Sequence, residues 1–499
     1  MAKKDQSDSI ARRDFLRQST CKALGITGVV NTLAHLRLTT AALAADAPLT
    51  GDYKALVVLF LFGGNDSNNM LVPTNQHPQR GTYETGRGIL ALPDDSLAKL
   101  NFPSASDQQF GLHPRMAAAQ SIFNEGELAF VANVGTLAFP VTRQEYLSGS
   151  VPLPPQLFSH SDQQEQWQSS IPDRPFQSGW GGRAADLLNA SYNASSEVSM
   201  SISLAGVNQL QVGTSGDVVQ YAVGTNGAIS LAGFGGNYGN AFDTAGNYRN
   251  SDTGRRLRTL DQVMRYTHEN LMEENYNEVV RRARANEGII GEAGAAAVAS
   301  GVDFDAIFDN AKTRLGDQLK QIARLIAGRD CLGNRRQIFF CSAGGYDTHQ
   351  DQLNSHGNLM EELGNALSAF NDAMKAAGTH DQVMTISHSD FTRTFTPNGD
   401  DPGSSGSDHG WGGHHFAMGG PVRGGQIYGT YPDLTVEGPD DTNGRRGRTI
   451  PTTSVEQFSA VPARWLGVES SALEAIFPNL RRFDDPFAVS SANLNFVNL

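Results

Sequence analysis

An uninterrupted apolar run near the N-terminus constrains the fold of this 499-residue chain more than any other feature of its sequence. Residues 55–62 read ALVVLFLF and are followed by Gly63 and Gly64. A half-exposed strand alternates apolar and polar residues, so this run indicates a strand that is buried on both faces, as in a parallel sheet. The residues after the two glycines are therefore expected at the carboxyl edge of the sheet, where α/β folds bind ligands.

Further apolar runs alternate with helical patterns along the chain. The runs are followed within a few residues by Gly, His or Asp; they cover residues 128–134, 337–342 and 383–386. The helical patterns cover residues 255–284, 311–327 and 353–376. This alternation predicts an α/β fold with a mainly parallel sheet.

Two glycine-rich segments interrupt the pattern. Residues 206–251 are rich in Gly, Asn, Ser and Thr, which predicts a β-hairpin insertion or long surface loops. Residues 286–303 are rich in Gly and Ala and are predicted to form a flexible connection between helices. No internal repeat is found, and residues 45–499 are expected to form one α/β domain.

The first 44 residues resemble a twin-arginine export signal. Arg12 and Arg13 lie just before a Phe-Leu pair, an apolar stretch follows over residues 23–44, and small residues at its end predict a mature chain that starts near Ala45. The resemblance implies the twin-arginine export machinery as a partner and a periplasmic or secreted location. An ordinary amphipathic N-terminal helix is the alternative.

Composition excludes several classes of partner. The formal net charge is −13, and no basic run interleaved with aromatic residues is present, so nucleic acid is not an expected ligand. No segment reaches the roughly 18 apolar residues of a membrane span.

Cys331 and Cys341 either pair in an oxidising compartment or remain isolated thiols, and the second interpretation is favoured.

Two candidate functional segments lie in the first third of the chain. Asp66 follows the first predicted strand and offers a carboxylate to a metal, although a tight turn uses the same residue types. Ser159 begins a predicted helix, where the local field favours a nucleophilic oxygen and a bound phosphate. A simple helix cap explains Ser159 equally well.

Further candidate ligands follow the later strands. Asp347 and His349 come directly after Gly344-Gly345, and His356 follows on the next helix. Asp390 follows the run at 383–386. Residues 408–415 contain Asp408, His409, His414 and a further histidine, a density that a structural core seldom requires. The spacing predicts a metal or catalytic site, with polar turns as the alternative.

Several of these segments together resemble the secreted family catalogued as domain of unknown function 1501. Besides the export signal, the segments that carry the resemblance are residues 61–66, 159–160, 179–183, 344–349, 389–391 and 408–412. The family is grouped with the alkaline phosphatase and sulfatase superfamily. The resemblance therefore implies a doubly wound, mainly parallel sheet with helices on both faces and one or two divalent metals, zinc, manganese or calcium, at its carboxyl edge.

The resemblance also assigns roles to individual residues. Asp66 looks like the metal ligand after the first strand, Ser159 like the nucleophile, and Asp347 with His349 like the ligands of one metal. Two alignments compete for the second metal. Either Asp408-His409 matches the superfamily's Asp-His pair, or Asp390 does, with Phe391 in place of the histidine. The second alignment is slightly favoured, and it makes His409 a ligand of the Asp347 metal.

The resemblance favours an exported metal-dependent hydrolase of phosphate or sulfate esters, acting on small molecules or polymers. Ser159 would attack, and Arg183 or Arg393 would hold the anion. A non-catalytic secreted binding protein that retains the fold with a degenerate metal site is the alternative. A metal-free serine hydrolase is disfavoured because the chain lacks a Gly-x-Ser-x-Gly segment.

Overall fold

The computed structural model describes residues 52–499 except 103–107, 195, 229–240, 242, 244–246, 265–285, 443 and 489–493. The export signal predicted in residues 1–44 lies outside the described residues. The strands, numbered along the chain, are β1 Lys54–Leu61, β2 Leu71–Pro73, β3 Ala98–Lys99, β4 Phe110–Leu112, β5 Leu128–Gly135, β6 Ser201–Ser203, β7 Tyr221–Gly224, β8 Gly227–Ala228, β9 Arg336–Ala343, β10 Val383–Ser389, β11 Gly413–Met418, β12 Ile427–Tyr428 and β13 Thr453–Ser454.

The described helices are α1 Ser67–Met70, α2 Arg80–Arg87, α3 Gln120–Asn124, α4 Arg143–Ser148, α5 His160–Ser169, α6 Trp180–Tyr192, α7 Asp252–Met264, α8 at 286–299, α9 Phe304–Ile307, α10 Arg314–Ala327, α11 Arg329–Leu332, α12 Gln352–Ala376, α13 Val455–Leu466 and α14 Leu473–Ile476. Short 3₁₀ helices cover Gly88–Leu90, Asp94–Ser96, Pro114–Ala119, Asp309–Ala311, His380–Gln382, Ser470–Ala472 and Leu480–Arg482.

The large sheet has the strand order β12-β5-β11-β10-β1-β9-β6-β7-β8, with β13 also paired to β5. β1 lies near its middle and is parallel to both neighbours, β9 and β10. Antiparallel pairs occur where β11 joins β10 and β5, and where β8 joins β7. The predicted α/β class with a mainly parallel sheet is therefore confirmed. β2, β3 and β4 form a separate small antiparallel sheet.

Both faces of β1 are buried, as its apolar run predicts. Leu56, Val58 and Phe60 pack in one hydrophobic cluster with side chains of α6 and α13. The alternate positions Val57 and Leu59 pack in another cluster with side chains of α8, α10 and α12. Each of these side chains is completely buried, which contributes about 1.5–3 kcal/mol apiece.

The glycine-rich segment 206–251 contains the β7-β8 hairpin within its described part. β7 pairs in parallel with β6 and so extends the large sheet at one edge. Residues 229–240, at the middle of this segment, lie outside the described residues.

The flexible connection expected at residues 286–303 was a wrong prediction, because residues 286–299 are helical. Ile290, Ala293 and Ala297 recur at helical spacing and are buried against the large core cluster. Alanine is the best helix former, and this buried stripe outweighs the unfavourable glycines. Sequence reasoning gave the glycines too much weight.

The cysteines and the helix lengths bear on two further sequence-based expectations. Cys331 is exposed and Cys341 is buried, and both are free thiols, as the favoured interpretation expected. In the part of the chain that is described, no helix combines the length and the hydrophobicity that crossing a bilayer requires.

Two helical glycines allow a test of the packing between α6 and the chain after β6. A Cβ on Gly182 in α6 would come 2.2 Å from the carbonyl carbon of Val212, whereas one on Gly291 in α8 would meet nothing within 4 Å. Gly182→Ala should therefore lower the free energy of unfolding by about 1–3 kcal/mol through overpacking. Gly291→Ala should raise it by up to about 1 kcal/mol. Urea denaturation measures both, and equal effects would contradict the packing described.

Candidate metal centre

Three loops meet where β1, β9 and β10 end. The loop after β1 begins with Gly63, and its backbone N–H lies 3.3 Å from both carboxylate oxygens of Asp390, after β10. A Cβ on Gly63 would come 2.4 Å from the backbone nitrogen of Asp347, after β9. A Cβ on Gly64 would come 2.4 Å from the Phe391 ring. Both glycines have positive φ, so this close approach of the three loops requires glycine.

A fourth segment, residues 408–411, runs antiparallel to residues 392–394. The pairing uses backbone hydrogen bonds from Gly410 to Thr392 (2.8 Å) and from Thr394 to Asp408 (2.8 Å). It places His409 opposite Arg393. A histidine that is distant in sequence is thereby brought to the ends of the central strands.

Helix α5 contributes one face to the same region. His160 and Gln164 are four residues apart and both contact Asp390: His160 Nδ1 lies 2.6 Å and Gln164 Nε2 2.9 Å from Oδ2. One turn further, the ring of Trp167 lies 5.1 Å from that of His388 on β10. The spacing 160, 164, 167 is that of a single helix face, so packing on β10 fixes His160.

Four side chains converge at this edge of the sheet. Asp347 Oδ1 lies 3.1 Å from Nε2 of His349 and 3.4 Å from Nε2 of both His160 and His409. The Nε2 atoms of His349 and His409 are 3.1 Å apart. The ligand atoms of His160, Asp347 and His409 all lie within 4.8 Å of one another.

The opposite ring nitrogen of each histidine faces a hydrogen-bond acceptor. The acceptors are the Asp390 carboxylate for His160 (2.6 Å), the Phe158 carbonyl for His409 (2.7 Å) and the Asp408 carboxylate for His349 (3.3 Å). Nδ1 of His160 and Nδ1 of His409 therefore donate, and in the neutral form of these two rings Nε2 presents a lone pair. A cation between these lone pairs and the Asp347 carboxylate would stabilise the arrangement.

The spacing suits a small divalent ion. Ligands that bind tetrahedrally at about 2.0–2.1 Å are about 3.3 Å from one another. Nε2 of His160 and Nε2 of His409 each lie 3.4 Å from Asp347 Oδ1, and the three ligand atoms lie within 4.8 Å of one another. Histidines whose second nitrogen is held by a carboxylate or a backbone carbonyl are typical of metal ligands. His160, Asp347 and His409 therefore fit a metal, with His349 beside them.

Arg393 keeps Asp347 in its charged form. Its Nη1 lies 2.6 Å from Asp347 Oδ1 and 3.2 Å from the Gly63 carbonyl oxygen, and Nη2 donates to the Ser407 carbonyl. Partial burial opposes the ionisation of Asp347, but the hydrogen bond and charge of Arg393 outweigh it and lower the pKa of the carboxyl. The site thus holds an ionised carboxylate at neutral pH.

The pKa values of the two histidines in contact with Phe391 are shifted in opposite directions. The hydrogen bond that His160 donates to Asp390 raises the pKa of His160, whereas burial lowers the pKa of His409. The Phe391 ring stacks on His409 at a centroid distance of 4.8 Å and lies 4.9 Å from the His160 ring. Phe391 therefore occupies the position beside Asp390 where the resemblance expected a histidine.

Ser159 is the residue that precedes α5. Its hydroxyl donates to Asp162 Oδ2 at 2.5 Å and makes no capping hydrogen bond to the helix. The next residue in the chain is His160, a member of the cluster. The helix N-terminus and the Asp162 carboxylate both act on this oxygen.

Three other predicted site residues have partners elsewhere. Asp66 is completely buried and accepts from Arg87 and Gln352. His414 is buried against Tyr431, accepts from the Asn133 backbone at 3.3 Å, and burial lowers its pKa to about 4. Arg183 donates to the carbonyls of Ser169, Ser178 and Ile476. None of these contacts involves a member of the cluster, and the proposed roles of these residues remain predictions.

Sequence reasoning did not select His160 as a ligand. The residue lies in the segment 159–160 that carried the family resemblance, but only Ser159 was given a role there. The helical spacing of His160, Gln164 and Trp167 was a usable signal. What it could not reveal is that this face packs on β10 beside Asp390.

A comparison with known proteins supports the family resemblance. The family model described as "Protein of unknown function (DUF1501)" matches residues 53–444. No curated protein matches the chain.

The contact between Asp390 and His160 can be tested through metal affinity. Asp390→Asn keeps the side-chain shape but removes the buried charge that orients the His160 ring, so we expect metal binding to weaken by roughly 10–100-fold. Asp408→Asn at His349 is the matched control and should have less effect, because Asp408 is partly exposed to solvent. Calorimetric titration with Zn²⁺ compares them, and equal affinities would contradict this role of Asp390.

The contact between Arg87 and Asp66 can be tested through stability. Arg87→Met leaves a fully buried carboxylate without its cation and should lower the free energy of unfolding by about 3–5 kcal/mol. Arg115→Met removes an exposed pair with Glu361 and should cost less than about 1 kcal/mol. Guanidinium denaturation measures both. If Arg87→Met lost its bound metal but kept its stability, Asp66 would instead be a ligand of the metal.

Proposed function

The chain belongs to the DUF1501 family, whose function is unknown. From the side chains of the site, we propose that the protein is an exported metal-dependent hydrolase of phosphate or sulfate esters. The observation that carries the proposal is the convergence of imidazole Nε2 atoms on Asp347, each with its Nδ1 facing an acceptor. We also propose that the sheet belongs to the alkaline phosphatase-like type. The position of the cluster, beyond the carboxyl ends of parallel strands, supports this assignment.

The proposed site holds one divalent ion. His160, Asp347 and His409 would bind it, and imidazole ligands favour zinc or manganese over calcium. Two carboxylates that a second ion would need are engaged elsewhere, Asp66 with Arg87 and Asp390 with His160. A bound ion would supply Lewis-acid polarisation of the ester's nonbridging oxygen.

Ser159 is the proposed nucleophile and Asp162 its base. The serine hydroxyl passes its proton to Asp162 Oδ2, 2.5 Å away, as its oxygen forms a bond to phosphorus or sulfur. The bond from that atom to the alcohol oxygen breaks on the side opposite Ser159, and the leaving alcohol takes a proton from water. Water then hydrolyses the serine ester.

A non-catalytic binding protein is the second candidate. It is favoured by the engagement of Asp66 with Arg87 and by the Phe391 ring in the place of a histidine ligand. Such a protein would retain the fold and one metal but convert no ester.

Metal content is the first measurement that tests the proposed function. Protein exported natively should contain about one zinc or manganese ion per chain by mass spectrometry, and Asp347→Ala and His409→Ala should lose it. A metal-free wild-type protein would contradict the metalloenzyme proposal and favour the non-catalytic binding protein.

Catalysis is tested by a panel of phosphate and sulfate esters. Ser159→Ala should lower kcat by roughly a thousandfold or more without loss of metal. Ser121→Ala changes an exposed hydroxyl on α3, which donates to the Ala118 carbonyl, and should leave kcat within about twofold. Metal at full occupancy with no turnover of any ester would favour the binding protein.

A further inference from the structure

A loop rich in arginine, residues 445–448, contacts the segment that carries His409. The loop is fixed by two hydrogen bonds from backbone N–H groups: that of Phe395 donates to the Gly447 carbonyl (2.9 Å), and that of Arg448 donates to the Asp441 carboxylate (2.9 Å). Gly447 has a φ of 63°, and a Cβ there would come 2.5 Å from Cβ of Phe395. The positions of the arginines in this loop are therefore determined by the fold.

Arg448 lies directly against the metal-centre histidine. Its Nε donates to the His409 carbonyl at 2.8 Å, and its guanidinium carbon lies 4.1 Å from the centroid of the Phe158 ring. The Phe158 carbonyl in turn accepts from His409 Nδ1. Arg448, Phe158 and His409 thus form one packed group beside the cluster.

The guanidinium of Arg448 has no carboxylate in contact. Among the described residues, no carboxylate oxygen lies within 4.0 Å of this guanidinium, and Tyr146, Asp408 and Asp441 interact with its charge from a greater distance. A half-buried guanidinium is normally paired, because removing its charge from water is costly. Only Nε has a side-chain hydrogen bond to the described residues, so the fork of terminal N–H groups remains available.

Arg446 is a second cation at the same rim. Its Nη1 lies 3.2 Å from Asp408 Oδ2, and the other oxygen of Asp408 lies 3.3 Å from His349 Nδ1. The side chain of Arg446 is 43% exposed, so the guanidinium is accessible from solvent. Two arginines therefore border the cluster along the His349–His409 side.

The arginines that the sequence suggested as anion clamps are already engaged. Arg393 holds Asp347 and two backbone carbonyls, and Arg183 donates only to groups remote from the cluster. Arg448, in contrast, has terminal N–H groups without a partner among the described residues, in a planar fork whose geometry matches a tetrahedral oxyanion.

We propose that Arg448, assisted by Arg446, binds the charged oxygens of a phosphate or sulfate monoester beside the cluster. The inference deepens the proposed function and rests on it for the reaction, but anion binding by these arginines does not itself require the metal. A phosphate monoester carries up to two negative charges and a sulfate monoester carries one, so each offers charged oxygens to the two guanidinium groups, whereas a phosphate triester offers none.

Binding of inorganic phosphate to the mature protein tests this subsite, measured by calorimetry with and without a chelator. Arg448→Ala should weaken phosphate binding by roughly 10–100-fold, the usual effect of losing a charge-assisted contact. Arg448→Lys should restore it only in part, because lysine lacks the fork. Arg445→Ala, in the same loop, is the control and should bind within about twofold of wild type, since its side chain is 86% exposed.

The outcomes separate this inference from the proposed function. Phosphate binding that survives chelation but is lost in Arg448→Ala supports the subsite even if no ester is hydrolysed. Equal binding by wild type and Arg448→Ala overturns it, whatever the metal content. If Arg448→Ala fails to fold, Arg448→Gln keeps the packing on Phe158 and the same comparison decides. In an active enzyme, Arg448→Gln should raise KM more than it lowers kcat.

Discussion

The parallel pairing of β1 with β9 and β10 determines where the loops that carry Asp66, Asp347 and Asp390 begin. Leu61 is aligned with Ala343 on one side and with Ser389 on the other, so the three strands end at the same level. The loops that follow these strands contact one another, because Gly63 and Gly64 have no side chain to hold them apart. A slip of either pairing by one residue would turn the strand's buried side chains to the opposite face and separate the loops.

The partner of each carboxylate decides what that carboxylate can do. Asp66 faces Arg87 in a fully buried pair, and Asp390 faces a histidine. Asp347 is held by Arg393 on one side while the histidine lone pairs approach from another. Asp408 contacts both His349 and Arg446. The four aspartates therefore have four different environments.

The sequence allowed the sheet and its edge to be predicted, because apolar runs and helical periodicity are local signals. The family resemblance likewise selected Asp347, His349 and His409, which the fold brings together. It could not supply the pairings that depend on the fold, such as Arg87 with Asp66 or Arg448 with His409. The helix at 286–299 was missed for a related reason: its buried stripe has meaning only once the core against which it packs is known.

The proposed metal ligands come from three distant parts of the chain: the start of α5, the loop after β9 and the segment before β11. An unfolded chain would have to close long loops to bring even two of them together, and this closure costs entropy that grows with loop length. An ion at the proposed site would therefore bind to the folded protein and not to the nascent chain. The metal composition of the compartment in which folding is completed would then decide which ion the protein carries.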